Sequence, residues 1–96
     1  MIAKAPVLFV IFNRIDTTMK VLQAIKAYQP EYLYIASDGP RKEKEGESEV
    51  VEDIRKKVLA EVDWKCDVHT LFRENNFGCG KGVSGAITWF FENEEM

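Results

Sequence analysis

Metal-binding and redox signatures are missing from this sequence. It contains no Asp-x-Asp, no His-x-His and no Cys-x-x-Cys, and its single histidine, His69, sits near Cys66 and Cys79 at a spacing that matches no common zinc site. Two cysteines this far apart read as reduced, unpaired thiols that serve as small apolar residues. Charge of one sign is lacking too. Thirteen basic residues against sixteen acidic ones give a net charge of -3, which leaves no electrostatic footprint for duplex nucleic acid. The apolar run from Pro6 to Phe12 is too short for a membrane span, and the opening Met-Ile-Ala-Lys has no long apolar segment behind it to act as a secretion signal. The expected location is the cytoplasm.

What is present is enough apolar residue for one small folded domain. Hydrophobic residues make up 46% of the 96 and charged ones 30%, a balance that supports a modest core and argues against overall disorder. Two apolar runs end in polar tips: Pro6-Val-Leu-Phe-Val-Ile-Phe-Asn13-Arg14 and Tyr32-Leu-Tyr-Ile-Ala-Ser-Asp38-Gly39-Pro40-Arg41. Continuous runs of Val, Ile and aromatic residues suit strands covered on both faces, as in a parallel sheet, and such sheets bind ligands beyond the carboxyl ends of their strands. Arg14 and Asp38 are therefore expected as neighbours in a binding cleft. A carboxylate there can accept a base N–H and an arginine can hold a pyrophosphate; the alternative is a structural ion pair that closes the sheet edge.

Helical spacing separates and follows these strands. Thr18, Val21, Leu22, Ile25 and Tyr28 fall on one face after a possible cap at Asp16, and Pro30 ends that helix. Lys42 to Ser48 reads as a solvated loop. A second helix is expected to start near Ser48 or Glu49, with Ser48 as its cap, Val51, Ile54, Val58 and Val62 inward, and Glu52–Lys56 and Asp53–Lys57 pairs outward. Cys66 to Phe72 alternates weakly, as an edge strand does, with His69 as a surface or half-buried residue. Val83, Ala86, Ile87, Phe90 and Phe91 then mark a third helix after a glycine cluster. The pattern is βαβαβα, which predicts an α/β, three-layer, Rossmann-like half with a parallel sheet in the order 3-2-1. It reads as the first half of a larger sheet.

The glycine cluster from Asn75 to Gly85 matches several motifs in part. Gly80-x-Gly82-x-x-Gly85 fits the dinucleotide spacing but follows the third strand and lacks the later acidic residue. A P-loop would need glycine at Asn75 and Ser or Thr at Gly82. Ser84 lies within the helical period, which disfavours a nucleophile elbow. Two readings stay open: glycines that let backbone approach a ligand at a helix N-terminus with Lys81 near a phosphate, or a tight turn with a surface lysine. The acidic residues Glu92 to Glu95 read as a solvated helix end.

Taken in order, Ala5-Pro-Val-Leu-Phe-Val-Ile-Phe-Asn13-Arg14-x-Asp16-Thr17-Thr18, Ala36-Ser-Asp38-Gly39-Pro40-Arg41 and Arg73-Glu-Asn75-x-x-Gly78-Cys79-x-Lys81 before Ser84-x-Ala86-x-x-Trp89-Phe90-Phe91 resemble the start of nucleotide-sugar glycosyltransferases with a GT-A fold. The likeness is closest to bacterial family-2-like and hemolytic-protein-like members and spans nearly the whole chain. It implies that Phe12, Asn13, Arg14, Asp38 and Gly39 surround the nucleotide of a UDP- or GDP-type donor, with Lys81 near its base or diphosphate. It implies further that residues 1–96 form the donor-binding, N-terminal part of a glycosyltransferase domain and stop before the Asp-x-Asp strand. The manganese or magnesium ion, the glycan or other acceptor and the catalytic carboxylate would then belong to the complete parent, and this part alone is not expected to catalyse transfer. Two other classes fit the same residues: a stand-alone nucleotide-binding module, or a structural half-domain that self-associates as a homodimer through an uncovered sheet edge.

Overall fold

The computed structural model describes residues 5–94, with the backbone only of Cys79. Expectations for residues 1–4, for the Cys79 thiol and for Glu95 lie outside the described residues. The chain alternates β1 (Val7–Ile11), α1 (Ile15–Tyr28), β2 (Tyr32–Ser37), α2 (Glu47–Glu61), β3 (Asp67–Phe72) and α3 (Gly78–Asn93). The strands form one parallel sheet in the order β1-β2-β3, which is the expected 3-2-1 order seen from the other edge. β2 is central and its residues from Leu33 to Ser37 are all buried, as a strand covered on both faces requires.

Strand alternation divides the sheet into two faces. Val7, Phe9, Ile11, Leu33 and Ile35 pack with Leu22 and Ile25 of α1 and with Ile54 and Val58 of α2. Tyr34 and Ala36 point the other way, where Tyr34 meets Trp89 and Phe90 of α3 edge-on. The result is three layers, with α1 and α2 on one face and α3 on the other. Trp64 closes the bottom of the first core by donating from its indole to the Pro30 carbonyl at 2.9 Å. Cys66 is a free thiol whose pKa burial pushes up, in keeping with an apolar role. His69 is half-buried and stacks on Tyr34 with ring centroids 4.7 Å apart.

Helix ends depart from the sequence expectations in instructive ways. Asp16 lies inside the first turn of α1, because Arg14 already takes the extended N-cap conformation, and no side chain caps that helix. The solvated loop ends sooner than expected: α2 starts at Glu47 with Gly46 as its N-cap, Ser48 caps nothing, and Glu47 is buried. Asp53 pairs with Lys57 at 3.0 Å, but Glu52 turns to Arg55 at 3.3 Å in place of Lys56. The third helix begins within the glycine cluster, at Gly78. Three apolar residues expected inward on α3, Val83, Ile87 and Phe91, are exposed, as are Val21 and Tyr28 on α1. The sheet is only three strands wide, so each of these helices meets it along a narrower stripe than its apolar face.

Candidate functional site

The carboxyl end of β2 and the start of α3 converge on one point, the Asp38 side chain. Asp38 follows the last residue of β2. Its Oδ1 accepts the Phe77 N–H at 2.8 Å and the Gly39 N–H at 2.9 Å, and its Oδ2 accepts the Gly78 N–H at 3.0 Å. A carboxylate that takes the leading N–H groups of a helix satisfies donors that have no partner within the helix and complements the positive end of its dipole. Asp38 is thus the N-terminal anchor of α3, supplied from forty residues earlier in the chain. Gly82 lies over it: a β-carbon there would come within 3.3 Å of Oδ2.

Arg55 underpins the same point from α2. Its guanidinium donates to the Ser37 hydroxyl at 2.9 Å and to the carbonyls of Ser37, Asp38 and Arg73 at 3.3, 3.1 and 2.8 Å. The Ser37 carbonyl also takes the Arg73 N–H at 3.0 Å, where the ladder between β2 and β3 ends, and beyond that point Arg55 supplies donors that the ladder does not. Burial lowers the Arg55 pKa, and its stack over the Phe72 ring at 4.8 Å fills the space beneath the strand tips.

A cavity of about 400 Å³ opens beyond the ends of β1 and β2, on the α3 side. Its apolar wall comprises Val10, Phe12, Ala36 and Val83. Asp38, Arg41, Arg73 and Asn76 supply the polar groups. The two arginines differ. Arg41 lies against the Phe12 ring and is tied to Glu47 by a bidentate pair, with contacts of 3.0 and 2.7 Å, while its own N–H donates to the same carboxylate at 2.8 Å. Arg73 stacks on Phe77 with its guanidinium carbon 4.3 Å from the ring centroid and forms no ion pair among the described residues. Gly85 makes room for it, since a β-carbon there would lie 2.5 Å from Nη2. The glycine cluster therefore admits two of the chain's own side chains, Asp38 and Arg73, against the helix.

Of the residues expected at the site, Phe12 and Asp38 line this cavity. Gly39 sits behind it, donating to the Asn75 carbonyl at 3.2 Å. Asn13 donates to Glu47 at 3.2 Å and, with Arg14, lines a separate depression on the α1 side of β1. Arg14 is exposed and is not brought against Asp38, whose carboxylate is occupied by amides. Lys81 is exposed on α3 and does not line the cavity. Arg41, Glu47, Arg55, Arg73 and Asn76 are the residues that sequence reasoning did not place at the site. Glu47 and Arg55 have a sequence signal, because they share the stripe of Val51, Ile54 and Val58 on α2.

The Arg41 guanidinium and N–H, helped by Asn13, hold the Glu47 carboxyl at about 2, down from an ordinary 4.5. A carboxyl depressed by folding stabilises the fold above its unfolded pKa, and that contribution is lost as pH falls toward the folded one. The expected result is a urea midpoint that declines between about pH 5 and pH 2, with a shallower decline in Glu47→Gln. Equal slopes in the two proteins would assign acid sensitivity to other carboxylates.

No protein-family model matches the chain, and neither does any curated protein or any solved structure.

Proposed function

We propose that this chain binds the nucleotide of a UDP- or GDP-type nucleotide-diphospho-sugar and is the donor-binding part of a cytoplasmic glycosyltransferase with a GT-A fold. The observation that carries this reading is the cavity beyond the parallel strand ends, with an apolar wall at Phe12 and an arginine, Arg73, that has no acidic partner among the described residues. A volume of about 400 Å³ falls in the range of small-ligand pockets. A flat base suits the wall of Val10, Phe12 and Val83, and a phosphate suits Arg73, whose planar fork pairs with phosphate oxygens. In this reading Asp38 has one acceptor position left, on Oδ2, for a base or ribose hydrogen. No helix among the described residues is long and apolar enough to cross a membrane.

The manganese or magnesium implied by the glycosyltransferase resemblance does not fit the residues of this cavity. Asp38 is engaged by three amides, Glu47 is held by Arg41, and the described residues contain no cluster of three His, Cys, Asp or Glu. No residue of this chain is assigned to a metal or to an acceptor, and none is assigned as a catalytic base.

Titration of the isotope-labelled chain with UDP and with GDP, with and without manganese, tests the reading. Saturable amide shifts are expected at Phe12, Asp38, Arg41, Arg73 and Asn76, with little change at Arg14. Gly85→Ala displaces the Arg73 guanidinium and should weaken binding roughly tenfold or more, the size of a lost charge-assisted hydrogen bond. Fold stability should hold or rise, because alanine favours a helix interior over glycine by about 1 kcal/mol. A dispersed spectrum that no nucleotide perturbs, or shifts confined to the α1 side, would overturn the reading.

A further inference from the structure

Among the described residues, one side of the molecule is largely apolar in all three layers, with Arg14 at one end of it. β1 pairs only with β2, so its other edge is open among the described residues, and that edge is Val-Leu-Phe-Val-Ile with Val10 43% exposed. The opposite edge of the sheet, β3, carries Asp67 and His69. Natural edge strands are usually protected by charges, prolines or bulges, and β1 has none of these along its length.

Both helices that flank β1 continue the same apolar side. On α1 the buried stripe is Thr18, Leu22 and Ile25, and Lys26 marks the flank toward α2 by pairing with Glu61 and Asp63. Residues about 100° around the helix on the other flank are Thr17, Val21, Ala24 and Tyr28. Thr17 and Val21 line the depression along β1, which Asn13 and Arg14 border at one end, and the Tyr28 hydroxyl accepts the Ala5 N–H at 3.0 Å. On α3, Gly85 faces Arg73 at the end of β3, so the flank of Val83, Ile87 and Phe91 looks over the β1 edge. Two helices of 14 and 16 residues with a strand between them present roughly 650 Å² of surface. That approaches the ~800 Å² that each partner contributes to a standard interface.

We propose that a second copy of this chain covers this side, with β1 pairing antiparallel to β1 of the partner copy about a two-fold axis near Phe9, so that two three-stranded sheets become one of six. A two-fold interface sets a surface against itself, which an apolar surface tolerates, and antiparallel pairing about Phe9 keeps the two copies of Arg14 at opposite ends of the strand pair. In this register Val7 stands opposite Ile11 and Leu8 opposite Val10, alternating faces as the pleat requires. Val10 and Val83 belong both to this side and to the cavity wall, so the partner copy would abut the cavity.

Light scattering during size-exclusion of the full chain over a dilution series is the test. The expected mass at high concentration is twice the 11.0 kDa of one chain. Val10→Lys, Val21→Glu and Ile87→Glu change exposed side chains on the three layers and should each raise the dissociation constant roughly tenfold or more while leaving the circular dichroism unchanged. Thr70→Lys on the β3 edge should leave the dimer intact. A monomer at every concentration overturns the proposal, as does a dimer indifferent to Val10→Lys and Ile87→Glu or one abolished by Thr70→Lys alone.

Discussion

Arg55→Met is expected to destabilise the fold by about 3–5 kcal/mol, the cost of removing one partner from a buried charged network. The guanidinium is the shared donor for the Ser37 hydroxyl and for the carbonyls of Ser37, Asp38 and Arg73. Methionine replaces the stem and the packing on Phe72 but none of the donors, and water has little access at a residue 7% exposed. A domain of this size has roughly 5–15 kcal/mol in total, so the loss should be visible as a lower urea midpoint with little change in slope. Arg55→Lys is expected to recover part of it, because an ammonium carries charge but cannot reach four acceptors spread around a planar fork. A midpoint for Arg55→Met within about 1 kcal/mol of the parent protein would remove Arg55 from its role as the tie between the strand tips.

Arg55 also shows where the sequence stops being informative. The alternation of strands and helices, the central burial of β2 and the weaker character of β3 are legible in apolar spacing, since that spacing is what drives the layers together. Arg55 and Glu47 fall in the same helical stripe as Val51, Ile54 and Val58, yet their charge makes them look like solvent residues. Only the carbonyls gathered at the strand ends explain Arg55, and only Arg41, facing Glu47 across the turn from Arg41 to Lys44, explains Glu47. Arg14 and Asp38 both stand at strand tips, as the apolar runs imply. What the runs do not carry is direction: Arg14 opens a helix on one face of the sheet while Asp38 anchors a helix on the other. The apolar faces of α1 and α3 are also wider than the three-stranded sheet beneath them, which periodicity alone does not disclose.

Gly39→Ala is the second substitution with a large expected effect. A β-carbon at position 39 would lie 2.6 Å from the backbone N, C and O of Asn75. Backbone atoms cannot rotate aside as a side chain can, so the loops after β2 and β3 must part. That movement strains the Gly39 N–H to Asn75 carbonyl bond and the 2.8 Å bond from the Asn76 amide to the Gly39 carbonyl. Overpacking of this kind costs about 3 kcal/mol. For a domain under 100 residues that corresponds to a thermal midpoint lower by about 12–24 °C. Gly80→Ala is the control of opposite sign: nothing lies within 4 Å of its β-carbon, so helix propensity should leave the midpoint unchanged or slightly raised. A Gly39→Ala protein that melts with the parent would mean that the two loops separate at little cost.

α3 is held at both ends by the same strand. Asp38 takes its first N–H groups, and the Tyr34 hydroxyl, whose pKa is pushed up to about 12 by the Glu94 carboxylate it donates to and by burial, fastens its last turn. The two anchors are four residues apart, Tyr34 within β2 and Asp38 just past its end, so the strand acts as a gauge for the helix. One residue inserted between Gly82 and Trp89 would advance the far end by about 1.5 Å and swing it by about 100°, releasing one anchor or the other. The stretch between the glycines and the tryptophan is therefore expected to accept substitutions far more readily than changes in length.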